Sequence, residues 1–380
     1  MRAFDVAVIG GGMAGASAAF ELAAVRKVVV LERESACGYH STGRSAASFT
    51  ENYGSPVIRR LAAASRHFFE APPDGLASGP LVAPRGMVTI GHDGQLGRLA
   101  TELARGREIV PDMCEMAPAE VMRRVPILRR EAVAGAVFEP RSRDIDVHAT
   151  HQVFLKGLRA RGGTVVTDAE VTALERRHGM WRIETGAGRF AAPIVVDAAG
   201  AWAEVVAALV GARPVGLVAK RRTVFNVDPP PGVSVADWPL VNDVGEEFYF
   251  KPDAGRLLVS PADATPSPPV DAQPEEEDLA IGVARLEAAT TLQVGRLPHK
   301  WAGLRCFVAD GAPVVGWDDE VDGFYWLAGQ GGYGIKTAPA LARTSASLIA
   351  GHGLPVDLLE LGLAEHDLAP ARCRTAAAAV

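Results

Sequence analysis

Three adjacent glycines with a fourth three residues on constrain this chain more than any other feature. Asp5-Val6-Ala7-Val8-Ile9 is a short apolar run, Gly10-Gly11-Gly12-Met13-Ala14-Gly15 follows, an alanine-rich stretch runs to Val25, and Val28-Val29-Val30-Leu31 closes on Glu32. The pattern predicts a strand, a tight turn, a helix and a second strand. In such a unit Gly10 permits the turn, Gly12 lets backbone approach a pyrophosphate, and Gly15 lets the helix pack on the strand. The phosphates then meet the positive end of the helix dipole. Glu32 ends the second strand, where a carboxylate accepts hydrogen bonds from a ribose and repels a 2′-phosphate. The expected ligand is FAD or NAD rather than NADP.

A chain of 380 residues can hold two domains, or one domain with a large insertion. Its formal charge of −6 argues against a nucleic-acid partner, and the basic clusters Arg129-Arg130 and Lys220-Arg221-Arg222 are too short for a phosphate track. No charged segment with an apolar core precedes the first strand, and no apolar run is long enough to span a bilayer, so a cytoplasmic location is expected. Cys37, Cys114, Cys306 and Cys373 are widely spaced, which indicates neither a disulfide framework nor a zinc site. His148 and His151 share a predicted helix behind Asp146 as N-cap, but no third ligand stands near them, and no metal is expected.

Further along, residues 38–47 form a loop of small residues that either presses against a flat ligand or lies on the surface. Ser55-Pro56 starts a helix. Residues 86–90 read as a strand, 95–104 as a helix with Leu96, Leu99, Ala100 and Leu103 inward, and 118–124 as a second helix. A helix over 147–161 leads into a strand at 164–167, and a buried strand from Ile194 stops on Ala198-Ala199-Gly200. Residues 216–305 change character, with strands at 223–227, 248–251 and 257–259 and a helix over 275–290 opened by an acidic run. Phe324 to Ala328 is a strand, Gly329 to Gly334 a flexible turn, and 335–350 a long helix. The tail from Ala369 is expected to fray.

With these motifs in order, the chain resembles the FAD-dependent amine and D-amino acid oxidoreductases over almost its whole length. The strings that carry the likeness are the glycine-rich start, Glu32, Gly43-Arg44-Ser45-Ala46-Ala47, Val196-Asp197-Ala198-Ala199-Gly200-Ala201-Trp202 and Gly331-Gly332-Tyr333-Gly334. It looks nearest to the D-arginine dehydrogenase type through residues 38–47, Lys220-Arg221-Arg222, Phe248-Tyr249, Lys251-Pro252-Asp253-Ala254-Gly255 and Trp301-Ala302-Gly303-Leu304-Arg305. The resemblance implies an α/β fold: a Rossmann-like FAD-binding domain (residues 1–75, 141–215 and 306–380) interleaved with an α+β substrate domain (76–140 and 216–305) built on a mainly antiparallel sheet.

It also implies non-covalent FAD. The cofactor-binding residues would be Gly10, Gly12, Met13, Ala14, Gly15, Glu32 and Arg33; Thr42, Gly43, Arg44, Ser45, Ala46 and Ala47; Val171, Ala199, Gly200 and Trp202; and Gly303, Arg305, Gly331, Gly332, Tyr333, Gly334, Ile335 and Lys336. A D-amino acid would lie over the flavin, its carboxylate on Arg222 and Arg305. Tyr53 and Tyr249 would hydrogen-bond or cover it, the Gly332 carbonyl would receive its amine, and Ile335 would sit where a mobile loop closes the site. Hydride transfer from the α-carbon to flavin N5 would leave an imine, hydrolysed to a 2-oxo acid and ammonia. In the sarcosine-oxidase branch a cysteine near the position of Cys306 carries the flavin covalently, but the surrounding residues here resemble the non-covalent branch.

Three departures bear on the side-chain pocket, expected at Ser48, Thr50, Gly86, Ile335 and Lys336. Ser48 replaces the family's histidine, no acid stands at Pro84-Arg85-Gly86-Met87, and Lys336 replaces a glutamine. Together they remove a negative charge and add a positive one, which fits a neutral or acidic side chain better than D-arginine. Glu51 would restore a negative charge if it turned inward, and Lys336 has solvent as its other destination. The alternatives are oxidation of a secondary amine acid (sarcosine, proline or opine type), an RNA- or protein-binding flavoprotein, and a nicotinamide dehydrogenase. The expected partners are a small-molecule substrate and an electron acceptor (quinone, dye-like carrier or oxygen), with no nucleic acid and a monomer as the default.

Overall fold

Complete burial on both faces governs the central strands. In Val6–Ile9, Val28–Leu31, Ile194–Asp197 and Phe324–Ala328, alternate side chains enter two different cores. Ala7, Ile9, Val29, Val195 and Trp326 enter one, and Val6, Val8, Val30, Val196 and Tyr325 the other. Strands with two buried faces have no polar side, so their sequences read as unbroken apolar runs. A computed structural model describes residues 1–376. There these strands form a six-stranded sheet in the order Thr164–Val166, Val28–Leu31, Val6–Ile9, Ile194–Asp197, Phe324–Ala328, Val314–Trp317. All neighbours are parallel except the last pair.

Helices Met13–Leu22 and Gly334–Ile349 pack against each other on one face, with Pro56–Glu70 outside them. The other face is covered by a four-stranded sheet that supplies Trp181, Ile183 and Phe190 to the shared core. Both long helices therefore start at the carboxyl edge of the parallel strands, and both dipoles point their positive ends into one crevice.

A second sheet of eight strands runs Lys300–Phe307, Val218–Val227, Arg256–Ser260, Tyr249–Asp253, Leu240–Asp243, Met87–Gly91, Gly135–Glu139, Cys114–Met116. It is antiparallel except where Leu240–Asp243 runs parallel to Met87–Gly91. One face buries Phe225, Phe250 and Val259 against Leu279 and Leu286 of helix Glu276–Ala289. The fold is thus the mixed α/β arrangement expected, with a mainly antiparallel second sheet.

Several local expectations change. Residues 371–376 form a helix rather than a frayed tail, because Arg372 caps the carbonyls of Leu368, Ala312 and Pro313 and reaches Asp310; the remainder of the expected tail, 377–380, lies outside the described residues. Leu96, expected inward, is exposed at the start of helix Leu96–Arg107, while Leu99 and Leu103 are buried. Asp146 does cap helix Val147–Ala160, its Oδ1 accepting from the Ala149 N–H at 2.8 Å. Among the described residues no helix is long and apolar enough to cross a membrane.

Gly10 has φ +101, and a Cβ there would stand 2.5 Å from the Ala198 carbonyl oxygen; a Cβ on Gly15 would stand 1.9 Å from that of Gly10. Strand, turn and helix close on each other with room for hydrogen alone. Gly15→Ala is therefore expected to lower stability by at least about 2 kcal/mol and to strip the bound chromophore. Thermal melting and visible absorbance of the purified protein check this.

Candidate active site

The crevice between the two sheets is a single cavity of about 610 Å³, running from the first glycine turn to the face of the eight-stranded sheet. At one end Gly10, Gly12, Met13 and Ala14 line it. A Cβ on Gly12 would meet only Thr42 Oγ1, at 3.3 Å, so the helix amides here are open to a ligand. Thr42 Oγ1 accepts the Met13 N–H at 2.9 Å, and Glu32 accepts the N–H groups of Gly11 at 2.7 Å and Glu34 at 2.9 Å. That fixes the Glu32 carboxylate at the cavity wall with lone pairs left for ribose hydroxyls. Arg33 lies over the Trp202 ring at 4.8 Å, and with Val171, Ala199 and Gly200 these groups wall the same end.

The loop of small residues lies against the cavity, not on the outer surface. Thr42, Arg44, Ser45, Ala46 and Ala47 line it, and Gly303 faces it from the neighbouring strand. Ser41 Oγ donates to the Leu304 carbonyl at 2.6 Å, Trp301 Nε1 to that of Arg44 at 3.0 Å, and Lys251 Nζ to that of Ala47 at 3.1 Å. Arg44 itself is engaged by Asp271 and the carbonyls of Ala272 and Ala302, so it ties the loop to the sheet.

Three expected site residues do not line the cavity. Gly15 serves the packing described above. Gly43 donates its N–H to the Gly38 carbonyl at 2.8 Å and shapes the loop from behind. Gly86 turns its α-carbon toward the Phe138 ring, 2.8 Å from where a Cβ would sit, and Met87 lines the cavity in its place. Neighbouring residues of a strand face opposite ways, so an error of one position moves a prediction to the wrong side.

At the sheet end, Arg222, Arg305, Tyr53, Tyr249 and Gly332 come together around the cavity. Arg222 Nε donates to the Asp263 carbonyl at 2.7 Å, but the Asp263 carboxylate is taken up by Thr223 and stays 4.0 Å from that guanidinium. The terminal nitrogens of Arg222 bond to no described residue. Arg305 makes neither a hydrogen bond nor an ion pair with any described residue; it stands over the Phe307 ring at 5.7 Å and lies flat on Gly332, where a Cβ would be 1.7 Å from its Nη2. Neither arginine is the surface ion pair it would be if it served structure alone. Burial, and then the positive charge of Arg305, holds the Arg222 guanidinium below its ordinary pKa. Two half-buried cations with free donors aimed at one space form a receptor for a carboxylate.

Gly331, Tyr333 and Gly334 also line the cavity, with Ile335 in the first turn of helix Gly334–Ile349, packed beside Phe68 and Phe154 rather than on a mobile loop. Tyr333 and Tyr53 meet edge to face at 5.5 Å, and burial, followed by Tyr53, pushes the Tyr333 hydroxyl up to about 12. Ser48 and Thr50 line the wall as expected. Glu51 does not: it is buried against Arg66 at 3.1 Å. Lys336 does not reach solvent; it is 4% exposed, and its Nζ donates to the carbonyls of Thr50 at 2.8 Å and Tyr53 at 2.6 Å.

Sequence reasoning missed Val224, Leu240, Asn242 and the buried Glu139. The first three were within reach by period 2: Val224 is two residues past Arg222, and Asn242 pairs with Tyr249 across the sheet. Glu139 carries no local signal. His151 Nε2 donates to the Gly11 carbonyl at 2.9 Å, beneath the first turn.

Over residues 5–348 the sequence matches the DAO family, described as FAD dependent oxidoreductase. The chain belongs to that family. It is 25% identical over 389 residues to dimethylglycine dehydrogenase, mitochondrial, of Mus musculus, covering 94% of this chain and 43% of that protein. Glycine oxidase of Bacillus licheniformis is 25% identical over 379 residues, covering 96% of this chain and 98% of the enzyme. The chain thus spans less than half the length of the mitochondrial dehydrogenases it matches. Among solved structures, L-proline dehydrogenase from P. horikoshii superposes with a TM-score of 0.84 at 20% identity, over 99% of both chains. Glycine oxidase from Geobacillus kaustophilus gives 0.81 at 23%, over 95% of this chain and 98% of the other.

FAD is the cofactor of this family, and the open amides at Gly12, the Glu32 carboxylate and the loop of small residues fit it. Cys306 lines the cavity, but burial pushes its thiol up to about 12 and keeps it protonated. Acid precipitation is therefore expected to release FAD into the supernatant and leave a colourless pellet; a yellow pellet would mean a covalent bond.

Proposed function

We propose that the protein oxidises the C–N bond of a small amino acid whose nitrogen carries an alkyl group, with its carboxylate on Arg222 and Arg305. The observation that carries this reading is the pair of guanidiniums whose terminal donors have no partner among the described residues. An α-carboxylate satisfies both and relieves their mutual repulsion.

The remaining wall supports a neutral substrate. Met87, Val224 and Leu240 are apolar, Asn242, Ser48 and Thr50 are uncharged, and no acid lines this end of the cavity. A cationic side chain would add a third positive charge beside two arginines with nothing to offset it. That speaks against the basic substrates which the likeness to D-arginine dehydrogenase implies. The relatives act, by name, on dimethylglycine, glycine and L-proline, and small or N-substituted amino acids match a pocket of this character.

Bound FAD supplies the two-electron acceptor. The chain's own residues fix the substrate: the arginines anchor the carboxylate, and the free hydroxyls of Tyr249 and Tyr53 donate to it or cover it. The Gly332 carbonyl accepts an N–H from an amine that bears one, and the Tyr53–Tyr333 pair excludes water. A substrate amine that enters neutral leaves no proton for a histidine base to remove. The final electron acceptor is a quinone, a dye-like carrier or oxygen.

A second reading, oxidative deamination of a neutral D-amino acid to 2-oxo acid and ammonia, is favoured by one observation. Tyr53, Arg222, Tyr249, Arg305 and Gly332 share one end of the cavity, as the D-amino acid resemblance requires.

Anaerobic mixing with sarcosine, N,N-dimethylglycine, glycine, L- and D-proline, D-alanine and D-arginine separates the two. N-alkylated donors are expected to bleach the flavin at least about tenfold faster than D-arginine, a difference of 1.4 kcal/mol in barrier. D-alanine ahead of every secondary amine would give the second reading, and D-arginine fastest would overturn both. With the best donor, Arg305→Met is expected to lower kcat/KM about 100-fold, mainly through KM, since it removes one of two half-buried anchors.

A further inference from the structure

Lys336 stands third in helix Gly334–Ile349, inside the first turn, where the helix dipole disfavours a cation. It is also 4% exposed, so water does not offset that placement. Three kinds of contact do. Two of its three donors reach the carbonyls of Thr50 and Tyr53, at 2.8 and 2.6 Å. Its Nζ lies 5.6 Å from the centre of the Tyr53 ring and 5.4 Å from that of Tyr333, within cation–π range of both. The carboxylates of Glu139 and Glu51 act on it electrostatically, opposed by Arg59. Glu139 in turn accepts from Thr50 Oγ1 at 2.9 Å, and its strand pairs with that of Met87, opposite which it stands.

These contacts join three separate pieces of the site: the helix start that carries Tyr333, the segment that carries Thr50 and Tyr53, and the edge of the eight-stranded sheet. Residues 50–54 belong to no helix or strand, and among the described residues the only side-chain donor that reaches the Thr50 and Tyr53 carbonyls is Lys336. A buried lysine in so unfavourable a place is the sort of local exception that functional sites retain.

We infer that Lys336 is a positioning residue: its ammonium clamps the Thr50–Tyr53 segment to the start of the helix and thereby holds Tyr53 and Tyr333 as one aromatic cover over the substrate. The inference rests on the proposed function only in taking this end of the cavity as the substrate site. The clamp works through N–H donation to carbonyls, so an uncharged donor serves in its place and an isosteric apolar chain does not.

The test compares the holoenzyme with Lys336→Met and Lys336→Gln by amide hydrogen exchange over residues 48–55 and by anaerobic flavin bleaching with the best donor. In K336M, exchange over 48–55 is expected to rise at least tenfold and the limiting bleaching rate to fall at least tenfold, with donor affinity changed less than threefold because the arginines are untouched. K336Q is expected to stay within threefold of the parent in both. Parent-like exchange in K336M, a K336Q as impaired as K336M, or an effect on affinity with an unchanged limiting rate would each overturn the clamp. If K336M does not retain its flavin, K336Q decides alone: values within threefold sustain the inference, and a tenfold change in either overturns it. Should no amine acid bleach the flavin, the proposed function fails, while exchange over 48–55 still tests the clamp.

Discussion

The contact on which the rest of the molecule depends is the closure of Gly15 on the Gly10 carbonyl. It sets the distance between the first strand and the first helix, and through them the distance between the helix layer and the six-stranded sheet. Because helix Gly334–Ile349 packs directly on helix Met13–Leu22, the same spacing places Tyr333 and Lys336 relative to the glycine turn. The two positive helix ends then bracket one crevice from opposite ends of the chain.

The crevice acquires its second wall through ties that are mostly side chain to backbone. Ser41, Arg44 and Trp301 pin the loop of small residues to strand Lys300–Phe307, and Lys251 pins Ala47 while pairing with Asp144 at 2.9 Å. Strand Lys300–Phe307 also carries Gly303 and Arg305, and its neighbour Val218–Val227 carries Arg222, with Arg222 opposite Gly303. One register therefore fixes both the loop at the cofactor and the cations at the substrate. A slip of one residue in either strand would turn its arginine to the other face and break up the pair.

The cofactor half was legible in the sequence because its determinants are local. Gly10, Gly12, Gly15 and Glu32 lie within one strand–helix–strand unit, and each answers a steric or electrostatic demand that can be read without knowing the fold. The substrate half was legible through resemblance and, in the strands, through alternation, which finds Val224 beside Arg222 but fails at Gly86, where a single position separates it from Met87. What could not be read is long-range pairing. Whether Arg222 serves structure or substrate depends on Asp263 choosing Thr223. Whether Lys336 faces solvent or pocket depends on the distant Thr50 and Tyr53 carbonyls, which no local pattern marks.

The charge balance behind Lys336 shows how strongly the fold favours function over stability there. Burial draws the lysine down to about 7 and lifts Glu139 to about 7, so each titrates near neutrality. Glu139 binds its proton more tightly folded than unfolded, so its contribution is present in acid and lost as pH rises to about 7. Lys336 binds its proton less tightly folded, so its contribution is lowest below about 7 and recovers as pH rises above it. Taken together the two place a minimum in stability near neutrality. Apolar residues of the same volume would remove that minimum. They would also leave the Thr50 and Tyr53 carbonyls without a donor and the two tyrosines without the cation between them, and the cover over the arginines would lose its fixed position.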